Sequence, residues 1–158
     1  MKGHIFQVNC SDGGVPKLSV VEAQVTRMGL EGDRQAHLDI HGGPDRALCL
    51  YSLENIKRLQ EEGHAIYPGS IGENLTISGL DWKKLAPGAQ LSIGDEVLIE
   101  IVSYAGPCPT IKGSFTGGKF KRISQKVHPG DSRLYARVLK TGRVAAGQTV
   151  HVLNGKEV

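Results

Sequence analysis

The sequence lacks several features that would place it in a broad class at once. No apolar run approaches the ~20 residues that a membrane-spanning helix requires, so we expect no membrane helix. The three cysteines, Cys10, Cys49 and Cys108, contain no Cys-x-x-Cys pair and form an odd number, which argues against a disulfide framework and a structural zinc site. The first eight residues alternate like a strand and lack the apolar core of a signal peptide, so we expect a cytoplasmic protein.

Motifs of several common enzyme classes are also missing. The sequence contains no Gly-x-Ser-x-Gly motif, no glycine-rich dinucleotide fingerprint and no phosphate-binding loop with its lysine. The net charge of +3 is too small to indicate nucleic acid by itself. The length of 158 residues and the hydrophobic content of 39% suit one globular domain, which we assign to residues 1–158.

Glycine and proline are plentiful, and they divide the chain into short segments of the kind found in all-β domains. Period-two alternation and one continuous apolar run predict strands at residues 4–9, 21–25, 46–51, 133–139 and 149–153, and a two-stranded hairpin within 88–104. Residues 69–77 are predicted to form a turn that leads into a strand. Ser52 and Gly63 bound one clear helix, and a second, short helix is predicted over residues 117–127. We therefore predict a mainly β fold: a closed, Greek-key-like barrel of about seven strands with one clear helix and one or two short helical segments.

The segment of clearest chemical character is 104–112, in which Cys108 lies between Pro107 and Pro109. Each proline restricts the residue before it and donates no backbone hydrogen bond, so we expect Cys108 on a stiff loop outside helices and strands. Residues 101–130 contain no Asp or Glu but several cations, and nearby cations make a thiol a better nucleophile or metal ligand. The alternative is that Cys108 is a small apolar residue that fills a turn.

Two other patterns allow a functional interpretation. His37, Asp39 and His41 occupy alternate positions and could supply the two histidines and carboxylate of a non-haem iron site. Histidines that bond the loop backbone are the favoured alternative, because short motifs often match by chance. The basic stretch 112–126 carries two phenylalanines and could bind single-stranded nucleic acid, bind the phosphates of a small cofactor, or form solvated surface.

Several short motifs, taken in order, resemble the MOSC family, the domain named after the C-terminal part of molybdenum-cofactor sulfurases. The resemblance extends from about residue 29 to residue 153. It rests on Gly29-Leu30-Glu31-Gly32-Asp33, His41-Gly42-Gly43 with Arg46, Gly72-Glu73-Asn74-Leu75, Gly94-Asp95, Pro107-Cys108, and the block from His128-Pro129-Gly130 to Arg133-Leu134-Tyr135-Ala136-Arg137. The chain is similar to a short, stand-alone bacterial member of this family.

The resemblance implies a molybdenum-cofactor (molybdopterin) binding domain. The cysteine that matches Cys108 either ligates molybdenum or carries sulfur as a persulfide, so Cys108 is the predicted catalytic residue and metal ligand. Related proteins that hold the cofactor reduce N-hydroxylated compounds, whereas others transfer sulfur to the cofactor. The predicted cofactor-binding residues are His41, Arg46, Glu73, Asn74, Lys119, Arg122, His128, Arg133 and Arg137.

The same resemblance implies partners. Fused sulfurases carry a pyridoxal-phosphate-dependent desulfurase domain, for which this chain has no room, so pyridoxal phosphate would belong to a partner cysteine desulfurase. Larger relatives carry a reductase or iron–sulfur module, so electrons would come from a separate electron-donor reductase. We expect a small-molecule substrate and neither nucleic acid nor a membrane as a partner. The alternative reading is a non-enzymatic barrel that binds phosphate or nucleic acid, with Cys108 in a structural role.

Overall fold

The computed structural model describes residues 1–34 and 43–153 of the chain. The strands in this part are β1 (Lys2–Cys10), β2 (Leu18–Val20), β3 (Glu22–Thr26), β4 (Gly29–Leu30), β5 (Leu48–Ser52), β6 (Leu75–Ser78), β7 (Gln90–Ile93), β8 (Val97–Ala105), β9 (Arg133–Lys140), β10 (Gly142–Ala145) and β11 (Thr149–Val152). An α-helix, α1, covers Leu53–Glu61, and short 3₁₀ segments cover Pro44–Arg46, Trp82–Lys84, Pro109–Ser114, Thr116–Gly118 and Phe120–Ile123.

Seven strands close into a barrel. Their order around the barrel is β11, β7, β8, β9, β5, β6, β1, and β1 pairs with β11 to complete the ring. Neighbouring strands are antiparallel except β5 and β6, a parallel pair whose connection contains α1. Strand β2 adds to the outer edge of β1. This arrangement confirms the predicted mainly β, closed barrel of seven strands.

A second, three-stranded sheet lies beside the barrel, in the order β10, β3, β4. Val25 of β3 and Val144 of β10 are fully buried and belong to the same hydrophobic core as the barrel. The sequence predicted only the β3 strand of this sheet. Strand β4 was missed because two residues cannot show an alternation, and β10 was missed because its sequence, Gly-Arg-Val-Ala, contains a single large apolar residue.

The barrel interior is built from alternate positions on each strand. On β8, Val97, Ile99 and Ile101 are buried, and the residues between them are half-buried. Burying an aliphatic side chain of this size contributes about 1.5–3 kcal/mol to stability. The register between β8 and β9 shifts after Ile101, and this bulge breaks the alternation just before the chain leaves the barrel at Ala105. The loop that contains Cys108 therefore begins shortly after a bulge.

Helix α1 follows the predicted boundaries. The side chain of Ser52 accepts a hydrogen bond from the backbone N–H of Asn55 (3.1 Å), which caps the first turn. Leu53, Ile56 and Leu59 are buried on one face. No helix in residues 1–34 and 43–153 is long and apolar enough to cross a membrane.

The helix predicted over residues 117–127 is wrong in type and length. The segment instead contains two short 3₁₀ segments, Thr116–Gly118 and Phe120–Ile123. Gly117 and Gly118 have positive φ angles of 64° and 69°, which an α-helix does not accept. Ile123 is nevertheless fully buried, so one apolar contact anchors this segment to the core.

Candidate functional site

Cys108 lies on a loop between β8 and β9, as the two flanking prolines predicted. Its backbone is extended (φ −131°, ψ 164°) and immediately precedes the 3₁₀ segment Pro109–Ser114. The side chain is partly exposed, and Sγ lies 2.5 Å from the hydroxyl oxygen of Thr110. A thiol on a proline-restricted loop is held in one direction while remaining accessible to a ligand.

Arg133 fixes the start of this loop from the inside. The guanidinium is buried, with 4% of the residue exposed. Nη1 donates to the carbonyl of Ile71 (3.0 Å) and Nη2 donates to the carbonyl of Gly106 (3.1 Å). Nε has no hydrogen-bond partner among the described residues. Arg133 therefore joins the loop of Cys108 to the loop before β6, and it keeps one buried donor unused.

Glu73 is enclosed behind the Ile71 loop. It is completely buried, and its Oε2 accepts a hydrogen bond from the Thr76 hydroxyl (2.9 Å), whereas Oε1 has no partner among the described residues. Burial raises the pKa of this carboxyl to about 7, an effect that the backbone N–H of Gly69, the Thr76 hydroxyl and the nearby Arg133 charge only partly offset. Glu73 is therefore an interior group rather than a residue that lines an open pocket.

Asn74 connects three parts of the site. Its Oδ1 accepts the backbone N–H of Cys49 (2.9 Å), and its own N–H donates to the Cys49 carbonyl (2.7 Å). Its Nδ2 donates to Oδ2 of Asp33 (2.9 Å). These bonds tie β5, the start of β6 and the loop after β4 together, which gives Asn74 a structural role in the described part of the chain.

A buried ion pair that the sequence analysis missed lies next to Asn74. Nζ of Lys17 is 2.7 Å from Oδ1 of Asp33, and both side chains are 5% exposed. Asp33 also accepts the backbone N–H of Ser11 (2.9 Å). Asp33 is the last residue of the Gly29–Asp33 motif, but nothing in the sequence around Lys17 indicates that the two residues pair.

Of two further predicted residues, Arg46 approaches the same tyrosine as Arg133 and Cys108, whereas Arg137 is paired elsewhere. Arg46 places its guanidinium 5.8 Å from the ring centre of Tyr135, which belongs to a small buried cluster with Cys49 and Ala105. Burial raises the pKa of Cys49 to about 11, so this thiol stays protonated at neutral pH. Arg137 instead forms ion pairs with Asp45 (3.3 Å) and Glu100 (3.5 Å). Since it follows Arg133 by four strand residues, the two arginines are about 13 Å apart along β9.

The basic segment after Cys108 is less positive than its sequence indicates. The guanidinium of Arg122 bonds both carboxylate oxygens of Glu62 (2.9 and 2.8 Å) and Oδ2 of Asp131 (2.6 Å). Asp131 also pairs with Arg58 of α1. These carboxylates raise the pKa of Arg122 and fix its charge against the protein. Lys119 and His128 are exposed on the same segment.

His41, and with it the pattern of His37, Asp39 and His41, lies outside the described residues. Within residues 1–34 and 43–153, no three His, Cys, Asp or Glu side chains come close enough to hold a metal ion. Of the predicted site residues that the structure describes, it brings Cys108, Arg133 and Arg46 together around Tyr135, and Glu73 lies near Arg133 in the interior. The binding roles predicted for these residues, and for Arg46, Asn74, Lys119, Arg122, His128 and Arg137, stay predictions.

Comparison with known proteins gives one family match and several relatives. A model of the MOSC domain matches residues 37–151. The uncharacterized protein YflK of Bacillus subtilis (strain 168) is 32% identical over 132 residues, which are 83% of this chain and 58% of that protein. Protein YiiM of Escherichia coli (strain K12) is 30% identical over 137 residues, which are 84% of this chain and 60% of that protein. The chain thus spans about three fifths of the length of these relatives.

A more distant relative and a solved structure extend these matches. A protein of Gibberella moniliformis named "Reductase" is 29% identical over 130 residues, which are 79% of this chain and 22% of that protein. The crystal structure of YiiM from Escherichia coli superimposes with a TM-score of 0.73 at 25% identity, covering 98% of this chain and 70% of that one. The barrel and its loops are therefore similar to a known structure over nearly the whole chain.

Proposed function

The chain belongs to the MOSC domain family, and from this premise we propose that it binds a molybdenum cofactor with Cys108 as the molybdenum ligand. The observation that carries the proposal is the partly exposed thiol of Cys108 on a loop that buried Arg133 fixes at Gly106. The family is associated with molybdenum cofactor sulfurases, which gives the thiol a chemical partner. A thiolate is a soft ligand and suits a metal of this kind.

The residues around Cys108 fit such a group. Arg133 keeps its Nε donor unused in a buried position, and a buried donor of this kind favours an anionic acceptor. Lys119 and His128 are exposed on the segment that follows the cysteine and could contact the phosphate of the cofactor. Glu73 and Asn74 would support the site from the protein interior, because both are fully buried and hold neighbouring loops together. When bound, the cofactor would supply oxygen-atom transfer and two-electron redox chemistry.

The proposed reaction is the reduction of a small N-hydroxylated compound. The Gibberella relative is named a reductase, which favours redox chemistry over a purely structural barrel. Electrons would come from a separate reductase partner, and the protein would act in the cytoplasm. In this reaction Cys108 holds the metal and Arg133 keeps the cysteine loop in position.

A sulfur-transfer role uses the same residue. In that reaction the Cys108 thiolate would take the outer sulfur of a persulfide on a pyridoxal-phosphate-dependent cysteine desulfurase, releasing the desulfurase thiolate. Delivery of that sulfur to the cofactor as sulfide would need two electrons from the reductase partner and would regenerate the Cys108 thiolate. The partial exposure of Cys108 supports this second candidate, because a partner enzyme has to reach the thiol. Binding of nucleic acid by the basic segment is less favoured, since Arg122 is already paired with Glu62 and Asp131.

A reduction assay tests the proposal. The protein, purified from a host that makes the cofactor, is mixed with a chemically reduced dye as electron donor and an N-hydroxylated amidine, and amidine formation is followed. We expect turnover by the wild type and by Cys10→Ala, which removes the other thiol that is not fully buried, and none by Cys108→Ala. Equal turnover by Cys108→Ala would reject the proposal. No turnover by the wild type, with a one-sulfur mass gain at Cys108 after treatment with a desulfurase and cysteine, would favour sulfur transfer.

A further inference from the structure

We propose that a cavity beside the cysteine loop binds the uncharged, flat, apolar body of the substrate while the N–O group of that substrate faces Cys108. The cavity has a volume of about 250 Å³ and is formed where residues 15–16, 65–70 and 110–114 meet. This inference rests on the proposed function for the identity of the reacting group. The shape and charge inferred for the substrate body rest on the residues that line the cavity and on its position beside the cysteine loop.

The lining sets the chemical class of the ligand. The cavity wall includes Val15, Pro16 and Ile111, and none of its lining residues is Asp, Glu, Lys, Arg or His. A charged group against this wall would lose part of its hydration without gaining an ion pair, which is unfavourable. The hydroxyl groups of Ser70 and Thr110 offer a few polar contacts within an apolar wall, the usual composition of a small-molecule site.

The size of the cavity sets the dimensions of the ligand. An apolar cavity of roughly 150 Å³ accepts a benzene molecule. The 250 Å³ present here accommodates a larger flat group, such as one substituted aromatic ring or two fused rings. Tyr67 borders the cavity and can pack against an aromatic ring.

The walls of the cavity are held by specific contacts. The backbone N–H of Lys17 donates to the carbonyl of Gly69 (2.8 Å), which fixes the first wall to the second. Just beyond the third wall, Thr116 donates its N–H to Nδ1 of His64 (3.0 Å) and its hydroxyl to the carbonyl of Gly63 (2.8 Å), and these two residues directly precede the second wall. The cavity is therefore formed before any ligand binds, which reduces the entropy lost on binding.

Thr110 links the cavity to the proposed reaction centre. It lines the cavity, and its hydroxyl lies 2.5 Å from Sγ of Cys108. A ligand in contact with Thr110 is therefore separated from the sulfur by one side chain. The apolar body of a substrate can occupy the cavity while its polar end extends past Thr110 toward Cys108.

The test compares two probes on protein that carries no molybdenum. The first is naphthalene-2-carboxamidoxime, and the second is the same compound with a carboxylate on the distal ring. Binding is followed through the backbone amide NMR signals of residues 110–114. We expect the uncharged probe to shift these signals in the wild type and the carboxylate probe to bind roughly tenfold more weakly or worse, because the lining offers the carboxylate no counterion.

Gly113→Leu fills the cavity. A Cβ at Gly113 meets no atom within 4 Å, and the residue lines the cavity, so leucine can be added without a backbone clash. We expect this variant to bind the uncharged probe at least roughly tenfold more weakly. Glu61→Leu adds the same side chain at an exposed helix position and should bind like the wild type. If Gly113→Leu does not fold, Ala65→Trp narrows the same cavity from an exposed position.

Molybdenum content and kinetics separate this inference from the proposed function. On the loaded protein we expect Gly113→Leu to keep wild-type molybdenum and to raise KM for the naphthalene probe. Equal binding of the uncharged probe by wild type and Gly113→Leu, or equal binding of the two probes by the wild type, would overturn the cavity assignment and leave the proposed function untouched. Loss of molybdenum from a folded Gly113→Leu would assign the cavity to the cofactor and also overturn it. Absence of molybdenum from the wild type would overturn the proposed function, while the NMR result still decides the cavity.

Discussion

At the scale of single residues, the three cysteines differ in burial and surroundings, and therefore in the reactivity expected of their thiols. Cys49 is buried under Tyr135, and burial raises its pKa to about 11. Cys10 is partly buried at the end of β1, and burial again raises its pKa. Cys108 alone among the three lies on a loop between two prolines with its thiol partly exposed. The arrangement favours Cys108 as the reactive thiol on structural grounds that do not depend on the family.

Glu73 is the residue whose protonation affects the stability of the fold. Its pKa is raised from the ordinary 4.5 to about 7 by burial, so the folded state favours the protonated carboxyl. The protonated carboxyl's stabilising contribution to the free energy of unfolding is fully present below about pH 4.5 and is lost as the pH rises to about 7. We predict that Glu73→Gln, which mimics the neutral form, removes this decline of roughly 3 kcal/mol in the free energy of unfolding.

Urea unfolding of wild type and variant between pH 4 and pH 8 measures this effect, and the difference between the two curves should grow with pH. Glu61→Gln, which removes one carboxyl from an exposed position, should leave the wild-type pH dependence unchanged. Parallel curves for wild type and Glu73→Gln would show that folding does not raise the pKa of Glu73.

At the scale of elements, loops rather than strands determine the geometry around Cys108. The loop before β6 is held by Arg133 at Ile71 and by the backbone N–H of Lys17 at Gly69. The segment after Cys108 is held to α1 by the ion pairs of Arg122 and Asp131. These hydrogen bonds and ion pairs explain how a loop-rich region can hold the Cys108 thiol at a fixed position relative to the cavity.

A substitution at Gly69 tests the contact between the loop before β6 and the segment that contains Lys17. Its φ is +90°, and an added Cβ would lie 2.2 Å from the carbonyl oxygen of Lys17. Gly63 has a similar φ of +98°, but an added Cβ there meets no atom within 4 Å. We predict that Gly63→Ala costs about 1 kcal/mol for the positive φ alone, whereas Gly69→Ala costs more because the loop must move.

Thermal and urea unfolding of the two glycine variants provides the comparison, since they share the conformational penalty and differ in the steric clash. Similar losses of stability in both would contradict the close contact between Gly69 and Lys17. We also expect Gly69→Ala to weaken binding of the naphthalene probe, because this loop forms one wall of the cavity.

At the scale of the whole molecule, the architecture was predictable and the internal contacts of the site were not. Period-two alternation on β8 and β9, the apolar run of β5 and the caps of α1 are local signals, and together they predicted the closed barrel. The same alternation put Arg133 on the face opposite Leu134, but it could not show that loops cover that face. Arg133 is buried because the Ile71 and Gly106 carbonyls, far away in sequence, meet it there.

Ion pairs between residues far apart in sequence account for the other contacts that the sequence did not indicate. Arg122 was predicted to hold a phosphate because its neighbours in sequence are cationic, yet it pairs with Glu62, which is 60 positions away. Lys17 and Asp33 form a buried pair across 16 positions, with no local pattern that relates them. Cys108 could be placed from sequence because the two prolines act through their immediate neighbours.

The central claim is that Cys108 ligates a molybdenum cofactor, and molybdenum content per chain tests it most directly. Wild type, Cys108→Ser and Cys10→Ser are expressed in a host that makes the cofactor, purified in parallel and analysed for metal. We predict near-stoichiometric molybdenum in wild type and Cys10→Ser, and none in Cys108→Ser, because a hydroxyl is a poor substitute for a soft thiolate ligand. Molybdenum retained by a folded Cys108→Ser, or absent from the wild type, would contradict the account.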